Sequence, residues 1–159
     1  MDIKFQAHGE PVSEEEMLTF EENYGIKLPA DYRDFMKKYN GGYHPDREII
    51  RFNRGRGTED TYLRHLFSIQ ELTIHLPNEY NSPLLKKGFL TIGGDIGKNS
   101  FLVSLRLDDY GVVYFHDTDY IFAIENEKFQ SVYIVATSFS EFLNKLITSE
   151  RQNINKKDM

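Results

Sequence analysis

The chain has 159 residues, no cysteine and a formal net charge of −6, which excludes a disulfide framework, thiolate ligation of zinc and every cysteine nucleophile. A field of that sign repels nucleic acid and anionic membrane and suits a basic protein partner, although mild acidity also serves simply to keep a protein in solution. With 12 Phe and 10 Tyr, the chain carries enough large apolar area for a globular core.

The first residues, MDIKFQAHGEPV, lack the apolar central region of a secretory signal. No stretch approaches the ~18 apolar residues of a membrane span, so a cytoplasmic location is the expectation. Ile3, Phe5 and Ala7 alternate with polar residues and predict a short strand or arm. VSEEEMLTFEENYG then predicts a helix. Ser13 and Glu16 stand at capping-box spacing, Val12 and Met17 can form a hydrophobic staple, and Gly25 supplies a left-handed stop.

LPADYRDFMKKYNGG predicts a second helix, with Pro29 suited to its first turn and Asn40-Gly41-Gly42 ending it. Tyr32, Phe35, Met36 and Tyr39 recur at spacings of three and four and form one apolar stripe. Residues 41–61 are rich in Gly, Arg and Asp and read mostly as a mobile loop or edge, with a strand possible at 48–52. YLRHLFSI predicts another strand, followed by a helical or turn segment over 71–80 that Asn81, Ser82 and Pro83 break.

The second half changes to short apolar or alternating runs: FLTIGG, SFLVSLRL, VVYFH, YIFAIE and SVYIVA. They predict an antiparallel meander, with Phe101, Val103, Leu105 and Leu107 on one strand face and DDYG at 108–111 as a hairpin loop. A last helix starts at a second capping box, Ser138 with Glu141, and carries Phe139, Phe142, Leu143, Leu146 and Ile147 on one side. Helices before and after a sheet make an α+β domain over 1–148, and 149–159 reads as a polar, frayed tail.

The residues offer little catalytic chemistry. GGDIGKNS at 93–100 has Ile92 where a phosphate loop needs its first glycine and Asn99 where it needs Ser or Thr, so a tight turn between strands explains it better. GRGTED at 55–60 places Asp60 where a dinucleotide fingerprint needs its third glycine. Arg47, Arg51, Arg54, Arg56 and Arg64 lie among Tyr43, Phe52 and Tyr62, a combination that could contact RNA or an anion. Asp46, Glu48, Glu59 and Asp60 are interspersed, and local ion pairs are the expectation instead.

His116, Asp117 and Asp119 could serve a metal-dependent enzyme, with Asp95, Asp108 and Asp109 in support. The HExxH and calcium-loop spacings are absent, however, and turns favour Asp without any ligand. No GxSxG occurs, and Glu14, Glu15, Glu16, Glu21 and Glu22 read as the solvated face of the first helix. The expectation is no catalysis, no metal and no cofactor.

Taken in order, YGIKLPADYRDFMKKYNGG, FLTIGGDIGKNSFLVSL, GVVYFHDTD and VATSFSEFLNKLI resemble the SMI1/KNR4 family of the SUKH superfamily, from about Ser13 to Thr148. Leu28, Pro29, Tyr32, Phe35, Asn40 and Gly41 form the most telling motif, and they read as a packing unit. The resemblance implies an α+β fold with a strongly curved antiparallel sheet flanked by helices, and no catalysis. Bacterial members look like immunity proteins that bind and neutralise toxin domains, many of them nucleases. Fungal members are tied to cell-wall regulation and carry long disordered extensions.

The leading expectation is therefore an immunity-type protein for a toxin domain with a basic surface, with neither nucleic acid nor membrane as partner. The alternative is an intracellular scaffold or regulatory protein linked to cell-wall processes. Candidate contacts are exposed acids and a tyrosine near the sheet loops: Asp95, Asp108, Asp109, Tyr110, Asp117 and Asp119.

Overall fold

The computed structural model describes residues 10–43, 49–55, 57–117 and 132–146. Helix α1 (Glu14–Tyr24) begins with both halves of its capping box: Ser13 Oγ accepts from the Glu16 amide at 3.1 Å, and Glu16 accepts from the Ser13 amide at 3.3 Å. Val12 and Met17 are both buried at this end, and Gly25 closes the other in the left-handed region.

Helix α2 (Ala30–Tyr39) has Pro29 as its cap residue, one position before the first turn. Tyr32, Phe35 and Met36 are buried, while Tyr39 is only partly so, with the Lys38 ammonium over its ring. Asn40 stops the helix at φ 52° and also has a longer reach. Its side chain accepts from the Ile69 amide at 2.8 Å and donates to the Glu10 carbonyl at 3.0 Å, tying α2 to helix α3 (Ile69–His75). Gly41 follows at φ 77°, and a Cβ there would lie 2.5 Å from the Phe67 backbone. Only glycine fits that approach.

Among the described residues, six strands follow one another in a fully antiparallel sheet: β1 (Ile49–Asn53), β2 (Thr58–Leu66), β3 (Phe89–Asp95), β4 (Ser100–Ser104), β5 (Val113–His116) and β6 (Val132–Ala136). Over 41–61, read mostly as a mobile loop or edge with a strand possible at 48–52, β1 is indeed an edge strand close to that position. The loop gives way to the β1–β2 hairpin because β2 starts at Thr58. Ile50 and Phe52 point into the core, while Arg51 sits opposite Asp60 in register on the other side. Charge on the outward positions hides the alternation.

Helix α4 (Asn81–Lys86) corrects a second reading, because Asn81, Ser82 and Pro83 open a helix where the sequence suggests that they end one. Pro83 lies in its first turn, where the missing N–H costs nothing. In GGDIGKNS, Gly93 and Gly94 belong to β3 and not to the turn. A Cβ on Gly93 would lie 2.4 Å from the His65 carbonyl oxygen, so close approach of β2 to β3 at a bulge requires that glycine.

The sheet curls strongly. Phe52 of β1 packs on Phe115 of β5 with ring centroids 4.6 Å apart, although the two strands are not neighbours in the sheet. The main core fills the space between this curl and α1, α2 and α5 (helical over 139–146). Tyr32 and Phe35 both pack on Phe139 there, and the ring contacts continue through Phe142 to Phe101, with centroids 5.0 to 5.9 Å apart. Leu84, Phe89, Leu102 and Tyr114 make a smaller cluster on the opposite face of the sheet, against α4.

Helix α5 is capped by Ser138 Oγ, but Glu141 accepts from the Thr137 amide at 3.1 Å and not from Ser138. Leu107, expected on the inner strand face, is fully exposed because β4 ends at Ser104. The predicted strands at 3–7 and 120–125, Ile147 and the 149–159 tail lie outside the described residues.

Candidate partner-binding site

Of the six residues expected to meet a partner, the five that are described lie at opposite ends of the sheet. Asp95 sits at the β3–β4 turn and Asp117 follows β5 at that same end, whereas Asp108, Asp109 and Tyr110 occupy the β4–β5 loop at the other. A strand length separates the two groups. Asp119 lies outside the described residues.

At the first end the expectation of exposed acids fails. Asp95 is buried and shapes its own turn, accepting from Thr61 Oγ1 at 2.6 Å and from the amides of Gly97 and Asn99 at 2.9 and 2.8 Å. Asp117 is also buried and accepts from Arg54 at 2.8 Å. Arg54 additionally pairs with Glu59 at 2.9 Å and stands 4.8 Å over the Tyr133 ring. Burial opposes its charge, but the bonds to Asp117, Tyr133 and Glu59 outweigh this and hold its pKa above the ordinary arginine range.

The neighbouring His116 is almost fully buried, with both ring nitrogens unpartnered among the described residues. Burial pushes its pKa down to about 4, against the opposing pull of Asp117, so it is neutral at pH 7. Among the described residues no group of three or more His, Asp or Glu is placed to hold a metal ion. Arg51 engages a nearby acid, Asp60, at 2.7 and 3.1 Å, as Arg54 does Glu59; Arg47 and Arg56 lie outside the described residues.

At the other end, the β4–β5 loop is organised around Asp109. Its carboxylate accepts from Ser104 Oγ, from Arg106 Nε at 3.1 Å and from the Tyr114 hydroxyl at 2.5 Å. Burial works against its charge, yet these partners win and hold the carboxyl below its usual range. Burial, together with the Asp109 bond, pushes the Tyr114 hydroxyl up to about 12. The Arg106 guanidinium stacks 4.5 Å over Phe89, anchoring the loop to the second cluster. Outside this clamp Leu107, Asp108 and Tyr110 are exposed.

Tyr110 leads to a groove that sequence reasoning misses. Its hydroxyl donates to the Lys27 carbonyl at 2.6 Å, joining the loop to the α1–α2 connection. Together α1, residues 25–30 and Tyr110 enclose about 670 Å³. Glu21 stiffens the wall by accepting from the Leu28 amide at 2.8 Å and from Arg33 Nε at 3.1 Å. Leu18 lies half-exposed in this groove. It falls off the buried Met17–Phe20 side of α1, and that off-stripe leucine is the one signal in the sequence.

Residues 11–145 match the SMI1/KNR4 family (SUKH-1), a span that includes both sheet ends and the groove. The chain belongs to the SMI1/KNR4 family. No curated protein matches it. Within this SMI1/KNR4 chain, Leu28, Tyr32, Phe35 and Asn40 are buried, so the motif that carried the resemblance lies in the packing between helices and sheet. Of the described partner candidates, Asp108 and Tyr110 are exposed, on the β4–β5 loop beside the groove. A histidine–carboxylate contact, His65 Nε2 to Glu71 Oε2 at 3.1 Å, is tied into the α3 cap, where the other Glu71 oxygen accepts from the Ser68 amide. No described helix is long and apolar enough to cross a membrane.

Proposed function

We propose that this SMI1/KNR4 chain is a non-catalytic cytoplasmic binding protein that neutralises a cognate toxin domain, as an immunity protein does. One observation carries the reading: the β4–β5 loop is clamped from within by Asp109 while its tip presents Leu107, Asp108 and Tyr110 to solvent. A rigid loop with an exposed leucine, tyrosine and acid suits protein recognition, because little side-chain freedom is lost on docking. The net charge of −6 favours a basic partner, such as a nuclease, and would speed encounter. Asp108 and Tyr110 are the proposed direct contacts. Asp95, Asp109 and Asp117 support the surface by holding their own turns and strands in place. The function uses no metal or cofactor.

The test is growth of cells expressing any toxin-like domain found encoded beside this gene, with and without this protein, paired with isolation of the complex. Rescue with a direct complex establishes the role. Tyr110→Ala should then weaken the complex by at least about tenfold, read by calorimetry. Failure to rescue, together with constitutive cellular partners, would shift the reading to an intracellular scaffold linked to cell-wall processes.

A further inference from the structure

We propose that the groove between α1, residues 25–30 and Tyr110 docks a basic segment of a partner protein, a lysine or arginine set beside an apolar side chain. This deepens the preceding reading and rests on its premise that the chain acts by binding a protein.

The groove is preformed. The Glu21 carboxylate holds the Leu28 amide, and the Tyr110 hydroxyl holds the Lys27 carbonyl, so neither wall needs to be ordered when a ligand arrives. Its lining includes Leu18, Ile26 and Tyr110, which offer apolar contact above the buried Leu28. Around these stand Glu14, Glu21, Glu22 and Asp34 against the cations Arg33 and Lys27.

The cations leave an acidic surplus, with Lys27 alone left to set against both Glu22 and Asp34. Arg33 is committed to Glu14 at 2.8 Å and to Glu21 at 3.1 Å, and Lys37 also binds Glu14. Glu22 and Asp34 are exposed and have no cation within ion-pair distance among the described residues. The Tyr110 hydroxyl registers this field: burial raises its pKa first, and Glu21 and Asp31 raise it further against Arg33. An anionic ligand would meet repulsion there, as would a second copy of this acidic chain. A basic and apolar segment would cover Leu18 while its cation reaches Glu22 and Asp34.

The probe is a synthetic peptide alternating lysine and arginine with leucine and valine, titrated into the full isotope-labelled chain. The control peptide carries glutamate at every basic position. The expected result is amide shifts centred on Leu18, Ile26 and Tyr110, no binding of the control, and at least a tenfold loss of affinity in Glu22→Lys/Asp34→Lys. An unchanged thermal midpoint checks that this variant remains folded. Shifts scattered over the acidic surface, or equal affinity in the variant, overturn the proposal. So does concentration-dependent self-association that perturbs the same groove amides.

Growth rescue separates the two readings. If the wild-type chain does not rescue but the peptide binds as expected, the groove stands and the toxin role falls. If Glu22→Lys/Asp34→Lys rescues as well as wild type, the toxin role stands and the groove is overturned as its docking site.

Discussion

Tyr32 carries its hydroxyl into a core of phenylalanine rings and finds no hydrogen-bond partner there among the described residues. Burial accordingly raises its pKa. An unpaired buried hydroxyl costs free energy that a ring hydrogen does not, so Tyr32→Phe should stabilise the chain by about 1 kcal/mol, seen as a higher urea midpoint. His116 has the complementary property, because burial keeps it neutral. Its folded pKa lies near 4, below the ordinary value of 6.5. As pH falls from 6.5 towards 4, the unfolded chain takes up this proton before the folded one, so stability drops across that window. Above pH 6.5 neither form holds the proton and the effect vanishes. The loss approaches about 3 kcal/mol by pH 4. Urea titrations at pH 7 and pH 5 should show a steeper loss in wild type than in His116→Leu.

At the scale of elements, what the sequence shows clearly rests on contacts within four residues, but local spacing does not always decide. The Ser138–Glu141 box closes only by half, and the full Ser68–Glu71 box at the start of α3 begins inside a segment read as strand. Both halves of the α1 capping box and the stripe of α2 follow from local spacing alone. Asn81–Pro83 misleads because these residues both break and start helices, and only packing of α4 on β3 decides between the two. Leu107 misleads because alternation does not reveal where a strand stops. Glycines show the same divide. A Cβ on Gly25 would have nothing within 4 Å, so Gly25→Ala should cost about 1 kcal/mol, from its left-handed φ alone. Gly41→Ala adds a collision with the Phe67 backbone and should cost about 2–4 kcal/mol. Thermal midpoints of the two variants, measured together, check the difference.

For the whole molecule, curvature of the sheet is the feature that brings Arg54 of the β1–β2 turn to Asp117 and Tyr133 at its far side. Arg54→Ala removes a partly buried pair and a ring contact, and should cost about 2 kcal/mol or more. Arg51→Ala removes an exposed, solvent-screened pair on Asp60 and should lower the unfolding midpoint far less. Equal unfolding midpoints for the two variants would mean that Arg54 does not hold the curl. The candidate site depends on the same long-range closure. Asp108, Asp109 and Tyr110 are legible as a loop, but not the split of the five described candidates between two sheet ends, nor the groove that Tyr110 shares with α1.

By itself the sequence determined the α+β class, the helix caps, the apolar stripes and the resemblance to the SMI1/KNR4 family, because these depend on residue spacing along the chain. The tertiary structure alone decided which acids face solvent and which surfaces meet. Arg54 and Asp117 are 63 positions apart, Tyr110 and Lys27 are 83 apart, and Ser140 and Asp31 are 109 apart. Whether an aspartate is a partner contact or an inward tie depends on what folding brings beside it, and no local pattern encodes that neighbour.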